Sequence, residues 1–148
     1  MAQSLSNILI HLVFSTKDRI QLIKPEIEQR LYLYIKSLST DLNCPILTIG
    51  GMPDHIHILL NLSRTISLSE YMTKIKANSS KWMKKESGCD FSWQKGYGGF
   101  SLAQSTLDGA MNYIANQKEH HKKYSYQDEL RLLLNKYKVH FDEKYLWE

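Results

Sequence analysis

The stretch "GGMPDHIHILLNL", Gly50 to Leu62, decides the fold and poses the functional question. Two glycines and a Met-Pro-Asp turn lead into an apolar run, the pattern of a strand re-entering a sheet after a tight hairpin. Side chains alternate along a strand. Ile56, Ile58 and Leu60 therefore share one face, and His55 and His57 share the other. The first face belongs in a core. The second carries two imidazoles where a packed strand would have Val or Leu. Alone, such a pair is as readily structural as metal-binding: two imidazoles clip an ion but do not complete a site.

The neighbouring segments supply the rest of a sheet. "CPILTIGG", Cys44 to Gly51, reads as the hairpin partner of the histidine strand, and "NILIHLVFST", Asn7 to Thr16, as another strand. Pro25 opens a helical pattern with Ile27, Leu31, Tyr34, Ile35, Leu38 and Leu42 on one stripe. Ser67 and Glu70 form a capping box for a second helix whose buried face is Leu68, Tyr71, Met72, Ile75, Trp82 and Met83. "DFSWQKGYGGFSLAQ", Asp90 to Gln104, holds a fourth strand or a pair of short strands around a glycine loop. A third helix is predicted over "STLDGAMNYIANQKEHHKKY", Ser105 to Tyr124, with Ser105 and Asp108 as its capping signature. A fourth opens at Ser125 and Asp128 and buries Leu130, Leu133, Leu134 and Tyr137. The aromatic end, "VHFDEKYLWE", is expected to dock.

The order β-α-β-β-α-β followed by helices is that of an α/β (α+β) ferredoxin-like split βαβ fold with an antiparallel sheet. Its middle strands are the first and third. One domain is expected over 1–148, with a core at about 7–121 and a C-terminal helix and tail at 122–148. The length of 148 residues, with 43% hydrophobic and 23% charged, suits one globular domain. No apolar run is long enough to cross a bilayer, and the N-terminus lacks the basic segment and cleavage site of an export signal. Cys44 and Cys89 lack metal-binding spacing and give no disulfide framework, so a reducing cytoplasm is the expected location. The glycine loop Gly96 to Gly99 has no phosphate-cradling pattern, so no nucleotide cofactor is expected.

The net charge of +4 permits a nucleic-acid partner without requiring one. Lys74, Lys76, Lys81, Lys84 and Lys85 cluster on the second helix, Lys17 and Arg19 follow the first strand, and Lys95 sits among aromatics and glycines. These are the candidate phosphate contacts. A merely solvated face is the plainer account of lysines taken on charge alone.

The third helix carries the reacting group. Tyr113 and Gln117 are four residues apart and share a helical face. Laid over the histidine strand, that face brings a phenol and a carboxamide oxygen to the two imidazoles. Three ligands, His55, His57 and Gln117, would leave a hard divalent ion with positions for water and a phosphate oxygen, which suits Mg²⁺ or Mn²⁺. Tyr113 would then attack phosphorus as a covalent nucleophile.

With these residues in view, the chain resembles the small HUH-type, single-tyrosine transposases of bacterial insertion sequences, the insertion-sequence 200-like family. The matching pieces are "HLVFSTKDR", "GGMPDHIHILL", "WQKGYGGFS" and "YIANQKEHH", in that order. The resemblance implies a metal-dependent enzyme that recognises imperfect hairpins, cuts single-stranded DNA through a 5′-phosphotyrosine and rejoins it. It also implies a homodimer in which one subunit's tyrosine helix can serve the other, in a bacterial or archaeal cell, at the nucleoid. By that match His55, His57 and Gln117 are metal ligands and Tyr113 is the nucleophile, with no departure at the four positions. Two rivals stay open. One is a non-catalytic single-stranded nucleic-acid-binding module. The other is a metal-dependent nuclease acting through activated water.

Lesser candidates surround these residues. Asp54 orients a histidine or simply turns the chain after Pro53. His11, on the first strand, is read as a packed or hydrogen-bonded residue ahead of a ligand. His120 and His121 lie one turn past Gln117; charge near a helix C-terminus explains them more simply than phosphate contact or a zinc site.

Overall fold

The histidine strand, β3 (His55–Asn61), lies inside a four-stranded antiparallel sheet with β1 (Leu9–Ser15), β2 (Ile46–Met52) and β4 (Gly98–Leu102). The computed structural model describes residues 2–148. The strand order is β2-β3-β1-β4, so the first and third strands are central, as the sequence predicts. His57 stands opposite Val13 of β1 and Gly50 of β2. The glycine-loop region resolves into β4 and one isolated bridge between Thr16 and Trp93.

Alternation sorts the two faces. Ile10, Leu12, Phe14, Ile56, Ile58 and Leu60 form the main core with α1 (Pro25–Asp41) and α2 (Leu68–Ser87). Ile56, Ile58 and Leu60 are fully buried, each contributing about 1.5–3 kcal/mol of hydrophobic stabilisation. Ser67 caps α2 by accepting from the Glu70 amide at 3.1 Å. The opposite face carries His11, His55, His57, Val13 and Phe100, and it too is covered. A second cluster joins Val13 and Phe100 to Tyr126, Leu130, Leu133 and Leu134 of α5 (Tyr126–Lys136). The C-terminal aromatics dock there, and the Glu148 carbonyl accepts from the amides of Lys95 and Gly96 at 3.1 and 3.2 Å. No helix of the described residues is long and apolar enough to cross a membrane.

Two expectations are corrected. The third helix is not continuous: α3 (Leu107–Ala115) ends at Asn116, where φ −101° and ψ 24° leave the helical region, and a short α4 (Gln117–His120) follows. The break turns Gln117 inward, leaving it 1% exposed, and its Nε2 reaches the Tyr113 carbonyl at 3.4 Å. Ser105 and Asp108 do not form a cap. A 3₁₀ turn over Gln104–Thr106 precedes α3, and Thr106 makes no side-chain cap bond because its hydroxyl donates back to the Ala103 carbonyl at 3.0 Å. The Ser125 cap does form, accepting from the Asp128 amide at 3.1 Å.

Candidate metal centre and tyrosine

Gly50 and Gly51 let the tyrosine helix reach the histidines. A Cβ on Gly50 would lie 2.5 Å from the Ile114 carbonyl oxygen, so α3 rests directly on the β2 backbone. A Cβ on Gly51 would meet the His55 oxygen at 2.3 Å, inside the hairpin itself. This seating places the Tyr113 ring 5.8 Å from that of His57 and 6.2 Å from that of His11. Lys118 holds the far side of the break, its Nζ donating to Glu28 Oε1 at 2.8 Å and to the Gly51 carbonyl at 3.2 Å.

The four residues singled out in the sequence thus come together in one chain. His55 and His57 are fully buried, and Gln117 Oε1 lies 3.3 Å from His55 Nε2. Asp54 Oδ1 accepts from His55 Nδ1 at 2.7 Å, and His11 Nε2 shares a proton with His57 Nδ1 at 2.7 Å. Tyr126 packs its ring 4.6 Å from that of His55, and its hydroxyl donates to Gln94 Oε1 at 3.0 Å.

At the centre of the cluster stands a residue that the sequence reading missed. Glu129 of α5 is 1% exposed. Its Oε1 lies 2.8 Å from His57 Nε2, 3.0 Å from His121 Nε2 and 3.2 Å from His55 Nε2. Its Oε2 accepts from the Tyr113 hydroxyl and from Gln117 Nε2 at 3.1 Å, and lies 3.2 Å from His120 Nε2. The signal was in the sequence: Glu129 falls on the buried stripe of Tyr126, Leu130, Leu133 and Leu134, where a lone carboxylate needs partners.

The electrostatics follow from burial. Desolvation pushes His57 down to about 4 and His11 to about 3, so both imidazoles are neutral at neutral pH. Burial also opposes a charge on His55, but its bonds to Asp54 and Glu129 outweigh that and raise it. Burial favours the neutral acid form of Glu129; the bonds from His121, His55 and His57 prevail and hold it well below the carboxylate range. Burial and the Glu129 carboxylate raise Tyr113, so the free phenol stays protonated. His55, His57, His121 and Glu129 each offer a donor atom, all within 4.8 Å of one another, the donor set of a divalent-metal site. A cleft of about 820 Å³ opens onto Tyr113, His120 and Glu129, walled by Gly109 and Ala110 of α3, by Leu133 of α5 and by Tyr137 just past its end.

The basic candidates are dispersed. Lys17, Lys74, Lys81, Lys84, Lys85 and Lys95 are exposed. Those on α2 lie on the layer away from the histidines. Lys17 and Arg19 follow Thr16, whose amide bonds the Asp54 carbonyl at 2.8 Å, so they lie beside the His55 end. Arg19 stacks its guanidinium 5.5 Å from the Trp147 ring. Lys76 turns inward and donates to the carbonyls of Gln94, Lys95 and Gly96.

Residues 4–117 match the family described as IS200-like transposases, and the chain belongs to that family. The ISDra2 transposase TnpA of Deinococcus radiodurans is 22% identical over 116 residues, covering 74% of this chain and 83% of that protein. Two solved structures share the fold. A Deinococcus radiodurans R1 protein assigned as a transposase superposes with a TM-score of 0.64 at 20% identity, covering 79% of this chain and 98% of the other. A REP-associated tyrosine transposase bound to a REP hairpin gives 0.61 at 16% identity, covering 82% and 72%.

Proposed function

We propose that this transposase cuts and rejoins single-stranded DNA at hairpin-flanked ends through a 5′-phosphotyrosine on Tyr113. The observation that carries the reading is the seating of the Tyr113 hydroxyl in the same cluster as His55, His57 and Gln117. His55, His57 and Gln117 would hold a divalent ion, Mg²⁺ or Mn²⁺, whose chemistry there would be to withdraw charge from the scissile phosphate. Tyr113 Oη attacks phosphorus in line; its bond to phosphorus forms as the bond to the 3′-oxygen breaks. The phenolic proton leaves along the hydrogen bond to Glu129, and the departing 3′-oxygen takes up a proton to become a hydroxyl. Attack by another 3′-hydroxyl reverses the step and joins strands with no external energy source. Asp54 and His11 fix the orientation of the two strand histidines through their second ring nitrogens.

The cleft beside Tyr113 has the size of a small-ligand site and suits a nucleotide flanking the scissile phosphate. The relative bound to a REP hairpin supports a hairpin as the substrate class. Lys17, Arg19 and Lys95 are the proposed phosphate contacts, with Lys74, Lys76, Lys81, Lys84 and Lys85 as more remote candidates. A homodimer is the proposed working unit.

The test is a denaturing gel with end-labelled hairpin DNA and divalent metal. The wild type should give an SDS-stable protein–DNA species, and Tyr113→Phe should bind the hairpin but give none. Cleavage to a free 5′-phosphate by Tyr113→Phe would instead establish an activated-water nuclease.

A further inference from the structure

We propose that Glu129 and His121 are ligands of the same ion as His55 and His57, so that the resident metal is Mn²⁺ or a later first-row ion and not Mg²⁺. This rests on the functional reading above and deepens it, because both residues lie beyond the matched family segment, which ends at residue 117.

Two hydrogen bonds decide which ring nitrogens face the cluster. His55 Nδ1 faces the Asp54 carboxylate at 2.7 Å, and His121 Nδ1 faces the Tyr124 carbonyl at 2.7 Å. Both partners are acceptors only, so each Nδ1 is the donor nitrogen of its ring, and each Nε2 is the nitrogen left facing the cluster. Each Nε2 meets further oxygens there. Glu129 Oε1 lies 3.2 Å from His55 Nε2 and 3.0 Å from His121 Nε2. Gln117 Oε1 lies 3.3 and 2.9 Å from the same two atoms. The orientation of the Gln117 amide is fixed as well, since its Nε2 faces Glu129 Oε2 and the Tyr113 carbonyl, both acceptors.

Five potential ligand atoms therefore converge: an imidazole nitrogen each of His55, His57 and His121, Glu129 Oε1 and Gln117 Oε1. A cation satisfies all of them at once. Bonds of about 2.1 Å put neighbouring donors of an octahedron about 3.0 Å apart, which matches the spacings around Glu129 Oε1 and Gln117 Oε1. A six-coordinate ion held this way keeps one position, enough for a single phosphate oxygen. The donor set also chooses the ion. Mg²⁺ sheds water reluctantly and prefers carboxylate, phosphate and water, whereas three imidazoles favour transition ions.

The test is calorimetric titration of the chelator-treated full chain with Mn²⁺ and with Mg²⁺, together with the visible spectrum of the Co²⁺ form. One Mn²⁺ per chain should bind at least about 100-fold more tightly than Mg²⁺. Glu129→Ala and His121→Ala should each weaken Mn²⁺ binding by at least about 10- to 100-fold and change the Co²⁺ spectrum. Glu129→Gln, isosteric with the native residue, serves if the alanine variant fails to fold, as circular dichroism will show. Mn²⁺ affinity within about threefold of wild type in the Glu129 and His121 variants overturns the proposal, and so does equal affinity for Mg²⁺. Retention of the Tyr113 adduct alongside such a result sinks only the ligand assignment. Loss of the adduct with Glu129-dependent metal binding intact sinks only the transposition chemistry.

Discussion

Replacing Gly50 by alanine tests whether the glycine seat under α3 aligns Tyr113, the proposed nucleophile. The added Cβ would stand 2.5 Å from the Ile114 carbonyl oxygen and 3.3 Å from Ile114 Cγ2. The first contact is with backbone and cannot be relieved by a rotamer change. Retreat to an ordinary contact of 3.4 Å moves the helix about 0.9 Å off the strand. Tyr113 is the residue before Ile114, so the movement passes directly to the phenol and to its bond with Glu129. Overpacking of this kind costs about 1–3 kcal/mol, which lowers the melting temperature by several degrees in a chain of this size. The rate should also fall, because a misplacement near 1 Å reduces rate by about 100-fold. Single-turnover adduct formation on a labelled hairpin, read beside thermal unfolding and hairpin affinity, separates the two effects. The expected result is a folded variant with near-normal hairpin affinity and a rate about 100-fold down. A wild-type rate in a variant with a lowered melting temperature would refute the seating argument, since the clash would then be absorbed without moving Tyr113.

Two further perturbations probe the support of the site. Asp54→Ala removes the acceptor at His55 Nδ1 and should weaken metal binding about 10- to 100-fold by titration, with the melting temperature of the chelated protein little changed; unchanged affinity would reduce Asp54 to a turn residue. Leu130→Ala empties part of the small cluster under α5, a helix that carries no metal-facing group at that position. It should cost about 2–4 kcal/mol and, by loosening Glu129, lower metal affinity without touching the ion; a loss of stability with full affinity would show that the sheet and α3 hold the site alone.

Much of this arrangement was legible in the residues, and the part that was not has a physical cause. Period-two alternation in His55 to Asn61 determines which face enters the core, and the fully buried Ile56, Ile58 and Leu60 confirm it. The four-residue step from Tyr113 to Gln117 correctly placed both side chains near the histidines, but through a helix that breaks at Asn116. A local spacing rule survives such a break only because tertiary contacts, Lys118 to Glu28 and Gly51, pull the second segment back. Capping at Ser105 failed because a hydroxyl pattern competes with the 3₁₀ turn that precedes α3, and sequence does not say which wins.

Glu129 is the more instructive omission. Leu130, Leu133 and Leu134 alone account for an amphipathic helix, and the carboxylate on the same stripe belongs to no motif. A carboxylate on a buried stripe cannot remain unpaired, and the buried histidines offer it partners on the sheet face that this helix covers. The pattern of the C-terminal helix therefore already implied that it covers the histidine face and contributes to it. The observed contacts of Glu129 with His55, His57, His121 and Tyr113 follow from that one misplaced-looking charge. In this chain the segment beyond the family match contributes Glu129 and His121 to the cluster, and truncating it before Tyr126 would remove Glu129 together with the helix that covers the histidine face.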